Sequence, residues 1–342
     1  MNKKFCSSIG LVFIVLVSVT AFGQDKDPNA AEVLILYKQS LSYLQSVSVK
    51  VDIEIDETLS NSDREISPRK TNFVFRQDHD RTEWIGAYLA LDEKGAVDAS
   101  KSFVLNEVMT GEYYGSVVGN INKLPIVANI CRDYQETQKG MFDDPEHGSA
   151  LFGKMYGSNH KGIAELLAES TNLYLRAEQE DINGVSCYVL DGATKYGKVT
   201  AWIAPEKGYS ALKWSIHKIS GDFFNEKPTS SSSWIAIFDS VEVQKIGDVF
   251  VTTGGRLTHT NNYTDGRTNI FCYKYKTSNI ELNPDFEALG AFKINLPDGT
   301  RVFVTEHPGI RYIWQNGKIV SADDPTFEEI DKIVDELKSE NK

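Results

Sequence analysis

The sequence predicts an α+β protein dominated by antiparallel strands, and three stretches predict it. Residues 47–56, VSVKVDIEID, alternate Val47, Val49, Val51, Ile53 and Ile55 with Ser48, Lys50, Asp52, Glu54 and Asp56, so an extended chain puts every aliphatic group on one face. Asn183-Gly184 separates two strand-like runs in YLRAEQEDINGVSCYVLDG, the sharpest local signal for a tight hairpin. Leu34, Tyr37, Leu41 and Leu44 recur at steps of three and four, which is helical periodicity.

The chain opens on MNKKFCSSIGLVFIVLVSVTAFGQ, where Lys3 and Lys4 precede an apolar run and Ala21-Phe22-Gly23 supplies small residues. This predicts a signal peptide over residues 1–23, cut near Gly23, and a periplasmic or secreted mature protein. Ser7, Ser8, Ser18 and Thr20 break the run, which falls short of the roughly 20 apolar residues of a membrane anchor. Cys6 lies too far before the small residues to be a lipidation cysteine. Cleavage removes two lysines and no acid from a chain whose net charge is already -12. Such an acidic chain is a poor partner for nucleic acid or anionic membranes, and no later segment is apolar enough for stable membrane insertion.

After a polar lead, AAEVLILYKQSLSYLQ reads as an amphipathic helix begun near Asp27-Pro28. It runs into the 47–56 strand. A second strand is expected in TNFVFRQDHDRTEW, with Asp78, Asp80 and Glu83 around His79 forming a solvated turn, and two more in SFVLNEVMTGEYYGSVV. From 121 to 172 short helical pieces interrupt the strands, with Ile163, Leu166 and Leu167 giving a small apolar face. Strands then return in VTAWIAPEKGYSALKWSIHK, SSWIAIFDSVEVQKI, DVFVTTGGRLTHTNNY and RTNIFCYKYKTSNIEL, joined by turns at Pro205 to Gly208, Gly247-Asp248 and Asp265-Gly266. The tail adds turns at Asp298-Gly299 and Asn316-Gly317, read as a small appended sheet, and DDPTFEEIDKIVDELKSE, read as a helix with the apolar stripe Phe327, Ile330, Ile333, Val334 and Leu337. The expected division is 1–23 signal peptide, 24–290 main domain and 291–342 C-terminal hairpin and helix extension.

Motifs that carry chemistry are absent from the sequence. There is no G-x-S-x-G, H-E-x-x-H, Walker A or dinucleotide fingerprint. Ser210 and Lys213 in SALK form an isolated S-x-x-K without the companion motifs of the serine enzymes that use it. Cys131, Cys187 and Cys272 survive cleavage with no C-x-x-C, and the histidines are dispersed, so no metal or cofactor is expected. In an oxidising compartment Cys187 and Cys272 could pair as a disulfide; three buried thiols is the alternative.

The order of these elements resembles the periplasmic lipoprotein carrier (LolA-like) family. The resemblance is carried by FVFRQDHDR, by the helical interruption, and above all by INGVSCYVLDG…VTAWIAPEKGYSALKWSI, across roughly residues 29–290. It implies a strongly curved antiparallel sheet, an incomplete β-barrel wrapped around helices, whose apolar hollow holds acyl chains. In that family an arginine after an apolar β run, usually followed by proline, links barrel to helical lid; Arg76 stands in that place here, with Gln77 where the proline would be. On this resemblance Val49, Val51, Ile53, Phe73, Phe75, Trp202 and Trp214 are the expected ligand contacts and Arg76 the lid latch. The function expected is reversible binding of an acylated or otherwise apolar ligand, such as a lipoprotein acyl chain, without chemistry. The alternatives are an interaction or sensor module with a self-filled cavity that meets another envelope protein and, as a minor one, a hydrolase.

Overall fold

A computed structural model describes residues 28–60, 68–110, 113–121, 127–131, 145–155, 157–159 and 161–321. The expected signal peptide and C-terminal helix lie outside these residues. Helix α1 (Ala30–Ser42) starts just after Pro28, with a capping box in which Asn29 accepts from the Ala31 and Glu32 amides while Glu32 accepts from the Asn29 amide. Its buried face is Val33, Leu34 and Tyr37.

The strands follow as β1 (Ser46–Leu59), β2 (Arg69–Asp78), β3 (Arg81–Ala90), β4 (Phe103–Met109), β5 (Tyr114–Asn120) and β6 (Val127–Cys131). Two 3₁₀ turns, Pro145–His147 and Ser149–Phe152, and helix α2 (Ile163–Ala168) come next. Then come β7 (Tyr174–Leu175), β8 (Glu180–Ile182), β9 (Val185–Thr194), β10 (Gly197–Ala204), β11 (Ser210–Ile219), the short hairpin β12 (Phe223–Phe224) and β13 (Lys227–Pro228), β14 (Ser233–Ile246), β15 (Val249–Asn262), β16 (Thr268–Leu282), β17 (Arg301–Val304), β18 (Tyr312–Gln315) and β19 (Lys318–Ser321).

Seventeen of these strands form one curved sheet. Its antiparallel order runs β9, β10, β11, β14, β15, β16, β1, β2, β3, β4, β5, β6. The 47–56 strand is therefore central, flanked by β16 and β2. β17 then joins β6 in parallel and leads into the β17–β18–β19 meander. Among the described residues the two outer edges of the sheet do not pair, so the barrel is open. Among the described residues the two α-helices are only 13 and 6 residues long, and the fold is mostly β rather than α+β.

The expected single strand over TNFVFRQDHDRTEW is two, because His79 takes a left-handed φ of 55° and turns β2 into β3. Asp78 and Arg81 form an ion pair across that turn, whereas Glu83 is buried in β3. The Asn183-Gly184 hairpin forms with both residues at positive φ, 56° and 84°, as a tight primed turn requires. The tail strands, expected as a small appended sheet, extend the main one through pairing of Val302 with Ala128 and Val304 with Ile130.

The row Val47, Val49, Val51, Ile53 and Ile55 is almost wholly buried on the concave face, against α1, α2 and the 3₁₀ turns. Each such side chain contributes about 1.5–3 kcal/mol of burial. Phe73 stacks against Trp84 at 4.8 Å and Phe75 against Phe152 of the second 3₁₀ turn at 4.6 Å. A second apolar cluster lies on the convex face, where Ala291, Phe292, Ile294 and Leu296 cover Val108, Val117 and Ile130 of β4–β6.

Candidate functional site

Period-two geometry on β14, β15 and β16 places Trp234, then Leu257, His259 and Asn261, then Phe271 and Tyr273 on the concave face. Among the described residues, neither α1 nor α2 lines this end of the hollow. A cavity of about 690 Å³ remains, bounded by Trp234, His259, Asn261, Phe271 and Tyr273, by Glu57 and Arg69 from β1 and β2, and by Phe224, Lys227 and Pro228 of the β12–β13 hairpin. That volume is within the range of sites for small organic ligands.

Aromatic rings line much of the wall. Phe224 meets Trp234 edge-on at 5.8 Å, Trp234 lies 5.1 Å from His259, and His259 lies 5.6 Å from Tyr273. Phe271 and Tyr273 stack at 6.2 Å. Burial pushes the His259 imidazole down to about 3, so it is a neutral part of this wall. The polar rim holds Arg69 between Glu146, at 3.2 Å, and Glu57, at 3.7 Å.

Behind the wall Lys218 is fully buried. Its ammonium donates to the Gly157 and Phe223 carbonyls at 2.7 and 2.8 Å and sits 5.3–5.4 Å from the centres of Tyr196, Phe224 and Trp234. Desolvation lowers its pKa to about 8; the carbonyls and ring faces are what make a buried cation tolerable. Lys218 thereby ties the hairpin wall to β11.

A second polar cluster fixes the turn that plugs the middle of the hollow. Glu107 of β4 accepts from the Tyr114 hydroxyl at 2.8 Å and lies 3.7 Å from His147, whose Nε2 is 2.9 Å from the Tyr88 hydroxyl. The Tyr275 hydroxyl donates to the Pro145 carbonyl at 3.0 Å. Burial and the neighbouring Glu107 carboxylate push the Tyr114 phenol up.

The residues expected to touch ligand divide between the two faces. Val49, Val51, Ile53, Phe73, Phe75 and Trp214 do share the concave core, packed against the chain's own helices and turns rather than lining the 690 Å³ cavity. Trp202 does not join them. Register pairs Ala201 with Trp214 and Trp202 with Lys213, so Trp202 faces the convex side, where its indole donates to Glu180 at 2.7 Å and Lys213 covers its ring at 4.4 Å.

Arg76 also points away from the hollow. It alternates with Phe75, pairs with Glu83 at 2.6 Å, and lies under the segment containing Phe292, so the residue expected as the lid latch sits in a convex-face ion pair. Cys187 and Cys272 are free thiols, not a disulfide. Four strands separate β9 from β16 in the sheet, far beyond the roughly 7 Å Cα limit of a bridge. Burial pushes the Cys187 thiol up to about 11. Ser210 lines a small concave crevice beside Tyr37 while Lys213 is on the convex side, so the S-x-x-K pair does not converge.

Reading the sequence missed Trp234, His259, Asn261, Phe271, Tyr273 and Lys218. The signal was present as alternation: Leu257, His259 and Asn261 share one face of a strand, and Trp214, Ile216 and Lys218 share another.

No family model matches this chain. No curated protein matches it either. Among solved structures it is similar to a DUF1329 family protein from Desulfovibrio piger, with a TM-score of 0.40 and 11% identity over 76% of this chain and 95% of that one. It is also similar to MucB in complex with MucA(peri), at a TM-score of 0.24 and 9% identity over 75% and 100% of the two chains. Lipovitellin, solved for its lipid–protein interactions, scores 0.30 with 7% identity over 70% of this chain and 26% of that one. At scores this low none of these likenesses tells what this chain binds. Among the described residues there is no group of three or more metal-ligating side chains, and no helix is long and apolar enough to cross a membrane.

Proposed function

We propose that this protein is an exported, LolA-like binding protein that takes up an apolar ligand reversibly, without chemistry, in the cavity between β14–β16 and the β12–β13 hairpin. The single observation that carries the reading is the 690 Å³ space left on the concave face and walled by Phe224, Trp234, Phe271 and Tyr273. Aromatic walls with a polar rim suit a ligand with an apolar body and one polar end. Extraction of the purified protein with organic solvent, followed by mass spectrometry, tests it together with titration of an alkyl-chain fluorophore followed by Trp234 quenching. A saturable signal that disappears in Phe271→Ala supports the proposal; an empty extract with no saturable binding overturns it.

A second reading is favoured by one observation. Most of the hollow is filled by Val33, Tyr37, Leu151, Met155, Ile163 and Leu166 of the chain itself, as in a module that signals through its surface to another envelope protein. A stable partner recovered from envelope extract, with no ligand in the cavity, would favour it.

A further inference from the structure

We propose that residues 322–342 seat their apolar stripe in a groove on the convex face of the sheet, covering the middle of strands β1–β5. This surface is independent of what the hollow binds.

The groove has a volume of about 440 Å³. Register sets its floor: Lys50, Val74, Ile85, Asn106 and Val117 stand opposite one another across β1, β2, β3, β4 and β5, and Ala87 opposite Val104 forms the next row. To one side of this floor the chain already covers the same face, since Ile294 sits directly over Gly115 and leaves no room for a side chain there. That cover reaches the groove at Asn295. Ile85, in the interior of the sheet rather than at an edge, stays 38% exposed. An apolar floor left bare in the middle of a sheet marks an interaction surface.

Position, length and charge make the C-terminal segment its occupant. The same transverse row continues from Val117 through Ala128, Val302 and Tyr312 to Ser321, so the last described residue stands four strands, about 19 Å, from the groove. Six extended residues, 322–327, span about 20 Å, enough to bring Phe327 to Val117. The stripe Phe327, Ile330, Ile333, Val334 and Leu337, wound as the helix its spacing predicts and continued to Glu340, runs about 20 Å, which matches the four strand spacings from β5 to β1. Residues 322–342 hold eight acids and three lysines. Among the described residues the one charged side chain lining the groove is Lys50, exposed and without an ion pair. Seated in this direction, the helix brings its C-terminal carbonyls with Glu336 and Glu340 to that ammonium, the polarity that a helix dipole favours.

Zero-length carbodiimide coupling, which joins a carboxylate to an amine only where the two meet, tests this on the intact protein. Peptide mapping of the monomer should find Lys50 joined to Glu336 or Glu340. Ile333→Asp puts a charge into the stripe and should lower that yield about tenfold or more. Lys332→Asp puts the same charge on the opposite face of the helix and should leave the yield within about twofold of the parent. Absence of any link from Lys50 to this segment, or an equal yield in Ile333→Asp and the parent, overturns the proposal. A link that forms between unlabelled and nitrogen-15-labelled copies in an equimolar mixture also overturns it, and assigns the groove to a second copy of the chain.

Discussion

The Lys218 ammonium donates to the Phe223 carbonyl at 2.8 Å, so a side chain of the sheet holds the hairpin that walls the cavity. The same ammonium holds Gly157, whose carbonyl also accepts from the Asn225 amide. One buried cation thus joins β11, the 157 loop and the hairpin.

Replacing Lys218 with Met keeps an unbranched side chain against the three rings and removes both carbonyl bonds. The Phe223 and Asn225 amides should then exchange with solvent about tenfold faster or more, because the hairpin opens without the rest of the sheet, while amides in β1 and β2 keep their protection. Hydrogen exchange resolved by mass spectrometry measures this. Equal protection in both proteins would mean that the hairpin stands without the latch.

The two perturbed bases give the pH dependence a direction. His259 has its pKa lowered from 6.5 to about 3, so between those values the unfolded chain binds a proton that the native protein does not. Stability therefore falls as pH drops below 6.5, by about 2 kcal/mol from this group at pH 5. Lys218 is lowered from 10.5 to about 8, and by the same linkage its contribution rises with pH between 8 and 10.5 and is flat below. Urea unfolding at pH 7.5 and 5.0 should show His259→Phe losing less stability on acidification than the parent. An equal loss in both would assign the acid sensitivity to other groups.

How much of this was legible beforehand follows from the period of the strands. Alternation found the buried row 47–55 and the hairpin turns at 183–184, 247–248, 265–266 and 316–317, because both signals are local. It could not say which face is concave, since that depends on sheet curvature and on what packs where. Trp202 illustrates the limit: it stands opposite Lys213 while Trp214 stands opposite Ala201 on the neighbouring strand, so Trp202 and Trp214 fall on opposite faces. Among the described residues, the cavity itself arises where neither α1 nor α2 lines the concave face of β14–β16, a long-range outcome that no short stretch records.

Arg76 and Glu83 form a nearly dry ion pair beneath the Phe292 segment, with side-chain exposures of 16% and 2%. Burial raises the Glu83 pKa, against the opposing pull of the Arg76 bond and charge and of the Phe292 backbone amide. Arg76→Met leaves the carboxylate without its cation and should cost about 3 kcal/mol. Because the pair faces away from the hollow, affinity for an alkyl-chain probe should stay within about twofold of the parent, a difference of roughly 0.4 kcal/mol. A large loss of affinity with little loss of stability would restore a latch role for this arginine.

Gly157 permits the cavity wall to close. Its φ is +77°, and an added Cβ would lie 2.5 Å from the Phe224 ring. Alanine here faces two penalties: a left-handed backbone costs it about 1–2 kcal/mol, and the ring must move. Moving Phe224 also breaks its edge-on contact with Trp234 and shifts the two carbonyls that Lys218 holds. The substitution should therefore lower stability by about 1–3 kcal/mol and weaken binding of the alkyl-chain probe, with a change in Trp234 emission in the unliganded protein. Gly184→Ala provides the comparison, since its φ of +84° carries the backbone penalty but no atom lies within 4 Å of the added Cβ. If both variants lose stability equally and both keep full probe affinity, the hairpin does not set the shape of the cavity.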